Sequence, residues 1–334
     1  MITLGQIGIG YWGPNLLRTF TSLPGARVKT CCDLDEERLT QFQTRHPAVT
    51  FTTDYSRVLD DPDIQAVVIA TPAVTHHEFA KIALQRGKHV FVEKPLALSV
   101  SEAQELVAIA DQKHRTLMVG HLLLYHPAVR RLKEMMETNE LGRIYYVYSR
   151  RVNLGRVRRD ESVMWSLAPH DVSVALYLLG DDPAEVSAQG FAFLQPDVED
   201  IAFLTIRFRS GIVYHSHVSW LDPHREREFV VVGDRKMAAL DDVAPAEKLR
   251  VYDSGIDSPS YASYTQSLTL RIGDILIPRI DTTEPLVLEC RHFLECVEQN
   301  RRPLTDGANG VRVLRVLEAC HQSLKQGGRA IACE

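Results

Sequence analysis

The chemically most specific stretch of the chain is Gly8-Ile9-Gly10-Tyr11-Trp12-Gly13, which follows the apolar run Ile2–Ile7. Glycines at this spacing allow a tight turn (Gly8), close approach of backbone to a pyrophosphate (Gly10) and close packing of helix on strand (Gly13). The helix that starts there offers unpaired N–H groups to phosphates. Asp33 lies twenty residues past the last glycine, at the end of a second apolar run, Val28–Cys32. A carboxylate there can bind the adenosine ribose hydroxyls of a dinucleotide. It also repels a 2′-phosphate, and Cys31–Glu37 holds no Arg or Lys to attract one; NAD is therefore expected over NADP. Tyr11, Trp12 and Leu34 border the same turn and are expected to line the cofactor. A purely structural glycine turn would use the same residues, but strand, turn, helix, strand and acid occur here in the order the motif requires.

Four further constellations carry chemistry. Glu93-Lys94-Pro95 directly follows the strand-like run His89–Val92, and ligands of an open α/β sheet bind at such strand ends. A lysine there can hold a substrate hydroxyl and steady developing charge on oxygen; a solvated strand-end lysine fits the position equally. Thr71-Pro72 ends the run Ala66–Ala70 on the same rim, as a turn against the nicotinamide ribose or as a simple strand terminator. Trp165-Ser166-Leu167-Ala168-Pro169-His170-Asp171 leads into an apolar helix expected over Val172–Leu179 and ended by Gly180. That puts His170 near a helix N-terminus, which favours the neutral imidazole a general base needs. Asp171 would orient that ring or cap the helix. Finally, Arg150–Asp160 is a basic segment, and arginines clamp diphosphates bidentately; a solvated loop of surface ion pairs is the alternative.

The elements that must position these residues change character along the chain. Up to Gly120, strands (Leu4–Gly8, Val28–Cys32, Ala66–Ala70, His89–Val92, Leu117–Gly120) alternate with helices (Asn15–Ser22, Asp35–Arg45, Thr75–Arg86, Ser101–Lys113). This pattern implies a doubly wound parallel sheet, with Ser99 and Glu102 as a capping box. Beyond it, a helix is expected over Pro127–Glu137. Period-two runs follow at Ile144–Arg150, Ile201–Arg209, Ile212–Trp220 and Glu228–Val232, the pattern of a mainly antiparallel sheet with one polar face. Two helices, near Leu286–Gln299 and Gly310–Gln326, close the chain. Asp253–Ser267, rich in Ser, Gly and Pro, is the expected mobile loop. The fold class is α/β: a cofactor domain over 1–120 and a second α/β domain over 121–334, whose last helix is free to pack back on the first.

Composition narrows the classes of function. At 334 residues with a net charge of −5 and no basic stripe, the chain suits two domains and argues against nucleic acid as a partner. Apolar runs are strand-length, too short for a bilayer, and no leader is evident. Six cysteines without C-x-x-C spacing fit free thiols in a reducing cytoplasm. Thirteen histidines lack the paired spacing of a zinc site, so no metal is expected.

These signals occur together in one known order. Gly8–Asn15, Asp33, Ala70-Thr71-Pro72 with His76, Glu93-Lys94-Pro95, His170 ten residues before Gly180, Glu284-Pro285-Leu286 and Arg302–Gly307 make the chain resemble the Gfo/Idh/MocA oxidoreductase family over nearly its whole length. The resemblance implies an N-terminal Rossmann domain, a C-terminal domain with a large open sheet that serves in homodimers or tetramers, a catalytic Lys at Lys94 and a catalytic His at His170. It places Thr71, Pro72, His76, Glu93 and Trp165 against NAD, and His121, Tyr125, Asn153, Arg156, Arg159, Trp165, His170 and Asp171 near the substrate. Many members carry Asp four residues before the His, where this chain has Ser166. Arg151–Gly155 and the Trp165–Asp171 run look most like the subgroup that oxidises C3 of UDP-N-acetylglucosamine or its uronate, whose 3-keto product goes to an aminotransferase in lipid A or surface-polysaccharide synthesis. A free polyol, a reduced 3-keto sugar, or a non-catalytic dinucleotide sensor are the alternatives.

Overall fold

A computed structural model describes residues 1–155, 157–159, 161–257 and 269–333. The chain divides into two compact units, Met1–Tyr125 with Thr283–Leu314, and His126–Thr282 with Arg315–Glu334. No helix among the described residues is long and apolar enough to cross a membrane.

The first unit is built on β1 (Ile2–Ile7), α1 (Gly13–Ser22), β2 (Ala26–Cys32), α2 (Glu36–Gln43), β3 (Thr50–Thr52), α3 (Ser56–Leu59), β4 (Ala66–Ile69), α4 (His76–Gln85), β5 (His89–Glu93), α5 (Val100–Lys113) and β6 (Leu117–Gly120). Its six strands run in the order β3-β2-β1-β4-β5-β6, every pair parallel. Continuous burial of β4 on both faces explains its unbroken apolar sequence. Ser99 accepts from the Glu102 N–H at 3.2 Å, and the Glu102 carboxylate accepts from Leu98 N–H, so the expected cap forms. β3 and α3, three and four residues long, are too short to leave a periodic signature in the sequence.

The second unit comprises α6 (Pro127–Glu137), β7 (Ile144–Val152), α7 (Val163–Leu179), β8 (Pro183–Phe191), β9 (Ile201–Phe208), β10 (Val213–Ser219), β11 (Glu226–Gly233), β12 (Met237–Asp241), β13 (Leu249–Asp257) and β14 (Thr269–Leu276). After α8 (Pro285–Gln299) and α9 (Gly307–Lys325), β15 (Ile331–Ala332) completes a nine-stranded sheet ordered β14-β13-β12-β11-β7-β10-β9-β8-β15. In this sheet, among the described residues, only β7 and β10 pair in parallel. Ala202, Leu204, Ile206 and Phe208 of β9 are buried on one face, as their alternation predicts. α7 covers that face, contacting β7, β9 and β10. Asp253–Asp257 belongs to β13 rather than to a loop, while 258–267 lies outside the described residues. β14 was not foreseen because almost every residue in it is exposed, so no alternation between faces marks it.

The return segment 283–314 builds on the first unit. Phe293 of α8 meets Phe20 of α1 and Phe91 of β5 at ring-centroid distances of 6.2 and 5.7 Å, and Phe20 meets Phe91 at 6.0 Å, all edge to face. Val119 N–H donates to Thr305 C=O at 2.8 Å, which fastens the segment beside β6. This seam should dominate the stability of the first unit. Phe293→Ala is expected to cost about 3–5 kcal/mol, as for other buried aromatics, measured by urea unfolding. A loss under about 1 kcal/mol would show that the seam is not a core.

Candidate active site

The turn after β1 is held open by contacts that only glycine permits. Gly8 has φ +96°, and a Cβ there would lie 2.6 Å from the Ala70 carbonyl. A Cβ on Gly13 would lie 2.4 Å from Gly8 O, whereas Gly10 faces open space, its nearest neighbour an Arg38 nitrogen at 4.0 Å. A dinucleotide phosphate therefore fits against Gly10. Gln6, buried in β1, was not singled out from sequence; its Nε2 donates to Gly8 O and Gly13 O, both at 2.9 Å, and so ties the two ends of the turn together.

Asp33 does two jobs. Its Oδ2 accepts from Ile9 N–H at 2.7 Å and its Oδ1 from Asp35 N–H at 3.0 Å, which locks the loop to the end of β2. Arg38 comes within 3.7 Å of the same carboxylate and within 3.2 Å of Asp35. A cation thus stands beside the acid expected to meet the ribose, placed there by one turn of α2, although the residues immediately after Asp33 hold none. Tyr11 and Leu34 are 81% and 84% exposed on this rim.

Around the end of β5 the rim is braced from below. The Lys94–Pro95 peptide is cis. Lys94 N–H approaches Glu93 Oε2 at 3.3 Å, and the Trp12 indole donates to the same carboxyl. Burial pushes Glu93 up to about 7, against the pull of Lys94 and these two donors. His76 is 1% exposed and lies under the rim, with Nδ1 2.7 Å from Pro95 O and Nε2 2.9 Å from Thr71 O. Its role toward a cofactor is thus to join the Thr71-Pro72 and Lys94-Pro95 loops. Thr75 Oγ1 adds bonds to Thr71 Oγ1 and Pro72 O at 2.8 and 2.9 Å. His121 is buried, 2.7 Å from Asn309 Oδ1, and burial lowers it to about 4, with Lys94 pushing the same way. Tyr125 is wholly buried, its hydroxyl 3.3 Å from Thr305 Oγ1 and its ring against His292. It is a core side chain, which corrects its expected place at the substrate.

In the second unit, α7 begins at Val163, so His170 sits mid-helix and not at an N-terminus. Pro169 lies inside the helix, whose start falls nine residues before the expected Val172. Ser166 and His170 share a helical face one turn apart, with Ser166 buried and His170 half-buried. Asp171 neither caps nor orients the ring. Its Oδ1 and Oδ2 accept from Arg151 Nη2 and Nε at 2.7 and 2.9 Å, with both side chains buried. That removes Asp171 from the substrate residues. Trp165 packs edge to face on His321 at 6.3 Å. Asn153, just past β7, bonds through its backbone to Ser219, and Arg159 is exposed. Arg156 lies outside the described residues. The basic segment is largely committed: Arg150 pairs with Glu226 at 2.8 Å, Arg151 with Asp171, and Arg158 with Glu161 at 2.7 Å. No group of metal-ligating side chains occurs among the described residues.

A glycine turn tied by Gln6, an acid at the end of β2 and a lysine at the end of β5 define an NAD-binding oxidoreductase. Residues 2–121 match the oxidoreductase family with an NAD-binding Rossmann fold, and residues 129–239 match the GFO/IDH/MocA C-terminal domain. The chain belongs to the GFO/IDH/MocA family. It is 28% identical over 315 residues to UDP-N-acetylglucosamine 3-dehydrogenase of Acidithiobacillus ferrooxidans, covering 93% of each chain. The solved structure of that enzyme superposes with a TM-score of 0.82 over 98% of each chain, at 24% identity. It is also 27% identical to scyllo-inositol 2-dehydrogenase (NAD(+)) of Bacillus subtilis, covering 98% of this chain and 94% of that one. A crystallised oxidoreductase from Magnetospirillum magnetotacticum MS-1 is 31% identical, with a TM-score of 0.82 over 96% of this chain and 99% of that one.

The geometry at Asp33 sets a cofactor test. Asp33→Ser removes the ribose acid and releases Arg38 toward a 2′-phosphate. NAD affinity should fall about 10- to 100-fold, the worth of hydrogen bonds to a charged group, while NADP affinity rises. Titration of both reduced cofactors by nicotinamide fluorescence reads this, and an unchanged NAD constant would show that Asp33 only braces the loop.

Proposed function

We propose that the protein is an NAD-dependent dehydrogenase that oxidises a ring hydroxyl of a sugar, the C3 hydroxyl of a UDP-linked N-acetylglucosamine, to the ketone. The observation that carries the reading is Lys94, just past β5 and next to Glu93, whose carboxyl Trp12 ties to the glycine turn after β1. NAD, when bound, supplies the hydride acceptor. Lys94 donates to the substrate oxygen and steadies its partial charge. His170 takes the hydroxyl proton. Asn153 and Arg159, with Arg156, are assigned to the acetamido group or the diphosphate. The full-length likeness to the Acidithiobacillus enzyme supports the nucleotide sugar. The ketone is a substrate for an aminotransferase, the class of reaction that would consume it.

A second reading, a free cyclic polyol or sugar as substrate, is favoured by the pairing of Arg150, Arg151 and Arg158 with carboxylates. The second-unit sheet is assigned to self-association into a dimer or tetramer, on the support of Leu270 and Ile272 of β14, exposed by 66% and 78%.

UDP-N-acetylglucosamine and NAD, coupled to an aminotransferase to draw off ketone, should yield NADH, and UDP alone should compete. Activity on scyllo-inositol without inhibition by UDP would replace the first reading with the second. Lys94→Met and His170→Asn should each cut kcat by about 10²–10⁴-fold while NAD affinity stays nearly unchanged. Wild-type turnover in both variants would withdraw the assigned roles.

A further inference from the structure

We infer that Glu289 of α8 is a positioning acid for the cofactor end of the first unit: it stands buried and without a donor behind Glu93, so that of the two carboxyls only Glu93, next to Lys94, takes up negative charge as pH rises through neutrality. The inference deepens the reading above and rests on its placement of Lys94 in the chemistry. Glu289 itself acts only through Glu93.

Geometry brings the two acids together. Strand alternation puts Phe91 and Glu93 on one face of β5, and helical periodicity puts Glu289 and Phe293 one turn apart on one face of α8. Phe91 and Phe293 are in contact at 5.7 Å. The next pair toward the strand end is therefore Glu93 and Glu289, and the charge of Glu93 acts directly on Glu289. Gly120 leaves room there, since a Cβ on it would meet the Glu93 carboxyl at 3.1 Å.

The environment of Glu289 does not support a second anion. Its side chain is 0% exposed, and neither carboxyl oxygen makes a hydrogen bond. A bare carboxylate buried in this way is far more costly than the neutral acid. Two carboxylates sharing one site cannot both ionise cheaply. The surrounding groups provide no compensation. Arg18 of α1 pairs with Glu284 at 2.6 Å. Lys94 acts on Glu93. His121, beyond β6, is held by Asn309, and burial keeps it neutral. Tyr125 is 3.3 Å from Thr305. Cys290, beside Glu289 on α8, is a buried thiol pushed up by burial and by the neighbouring acids. Burial first, and Glu93 second, hold Glu289 well above the usual carboxylate range.

The sign of the linkage gives the test. Glu289 is protonated in the folded chain and ionised in the unfolded chain once pH exceeds the ordinary carboxyl range. The unfolded state then binds fewer protons, so wild-type stability falls as pH rises from about 5 toward the raised folded value. Glu289→Gln mimics the protonated acid and lacks that slope. Its melting temperature should gain on wild type by about 2–4 °C per pH unit between about pH 5.5 and about pH 7.5. Infrared spectra at about pH 7.5 should show a stronger protonated-carboxyl carbonyl band in the wild type than in the variant, which keeps only the Glu93 fraction. NADH affinity at neutral pH should agree within about threefold. On the alkaline side, wild type should weaken more than the variant, because a second charge repels the anionic cofactor. Parallel melting curves, or a wild-type band no stronger than the variant's, would overturn the inference. None of these readouts needs a sugar, so a wrong substrate or fully active Lys94→Met leaves them intact and faults only the function proposed above.

Discussion

A carboxyl group taken out of water must find replacement donors or give up its charge, and the end of β5 is organised by that requirement. Glu93 finds the Trp12 indole from the turn after β1, its own neighbour's backbone N–H, and the Lys94 charge. The residues that read as a dinucleotide motif are thus also the solvation shell of a buried acid. Trp12 cannot leave Glu93 without raising the cost of that charge, so the phosphate-binding turn and the lysine loop are held in one arrangement. His76 adds to this by spanning from Pro95 to Thr71. A neutral imidazole can donate to only one of those two carbonyls, so the brace is built at some cost in hydrogen bonding.

In the second unit the corresponding constraint is the Arg151–Asp171 pair. α7 is apolar nearly all round, and most of its residues are buried. Hydrophobic burial alone then says little about its rotation, since many faces would bury equally well. A bidentate, buried ion pair has one geometry, and breaking it would strand a charge. It fixes Asp171 against β7, and His170, about a hundred degrees around the helix, is aimed by the same contact. The ion pair matters here for register more than for net stability.

The first sheet was legible because most of its strands are short apolar runs and because Gly8 and Gly13 stand where backbone approaches backbone. β3, α3 and β14 were not, for the reasons their length and exposure give, and β8, β12 and β13 also went unread. The site was legible where the chemistry is local: Gly8, Gly10, Gly13 and Asp33 lie within one βαβ unit. It was misread where a residue's neighbours come from afar. Tyr125 looked available until Thr305 and His292 closed over it. Asp171 looked like a partner of the adjacent His170, but helix geometry turns adjacent residues apart, and Arg151 claims it across the sheet. Gln6 and Glu289 gave no signal because their roles depend on burial. A glutamine in a strand and a glutamate in an amphipathic helix are ordinary until their surroundings are known.

The same distinction bears on substrate charge. A run of arginines over residues 150–159 suggests a cationic patch, yet Arg150 and Arg151 sit on one strand, and alternation sends one outward and the other inward. Strand geometry therefore divides a basic run into separate ion pairs, and a carboxylate answers Arg150, Arg151 and Arg158 in turn. Surface pairs such as Arg150–Glu226 are worth little and exchange readily, so a diphosphate can compete for Arg150. It cannot compete for Arg151, whose release would leave Asp171 buried and alone. Any nucleotide specificity then rests on Arg150 and on positions past the end of β7, half-buried Asn153 and exposed Arg159 among the described residues. The first unit is indifferent to that choice, because the proposed roles of Asp33 and Lys94 involve a cofactor and a single C–OH group whatever the rest of the substrate carries.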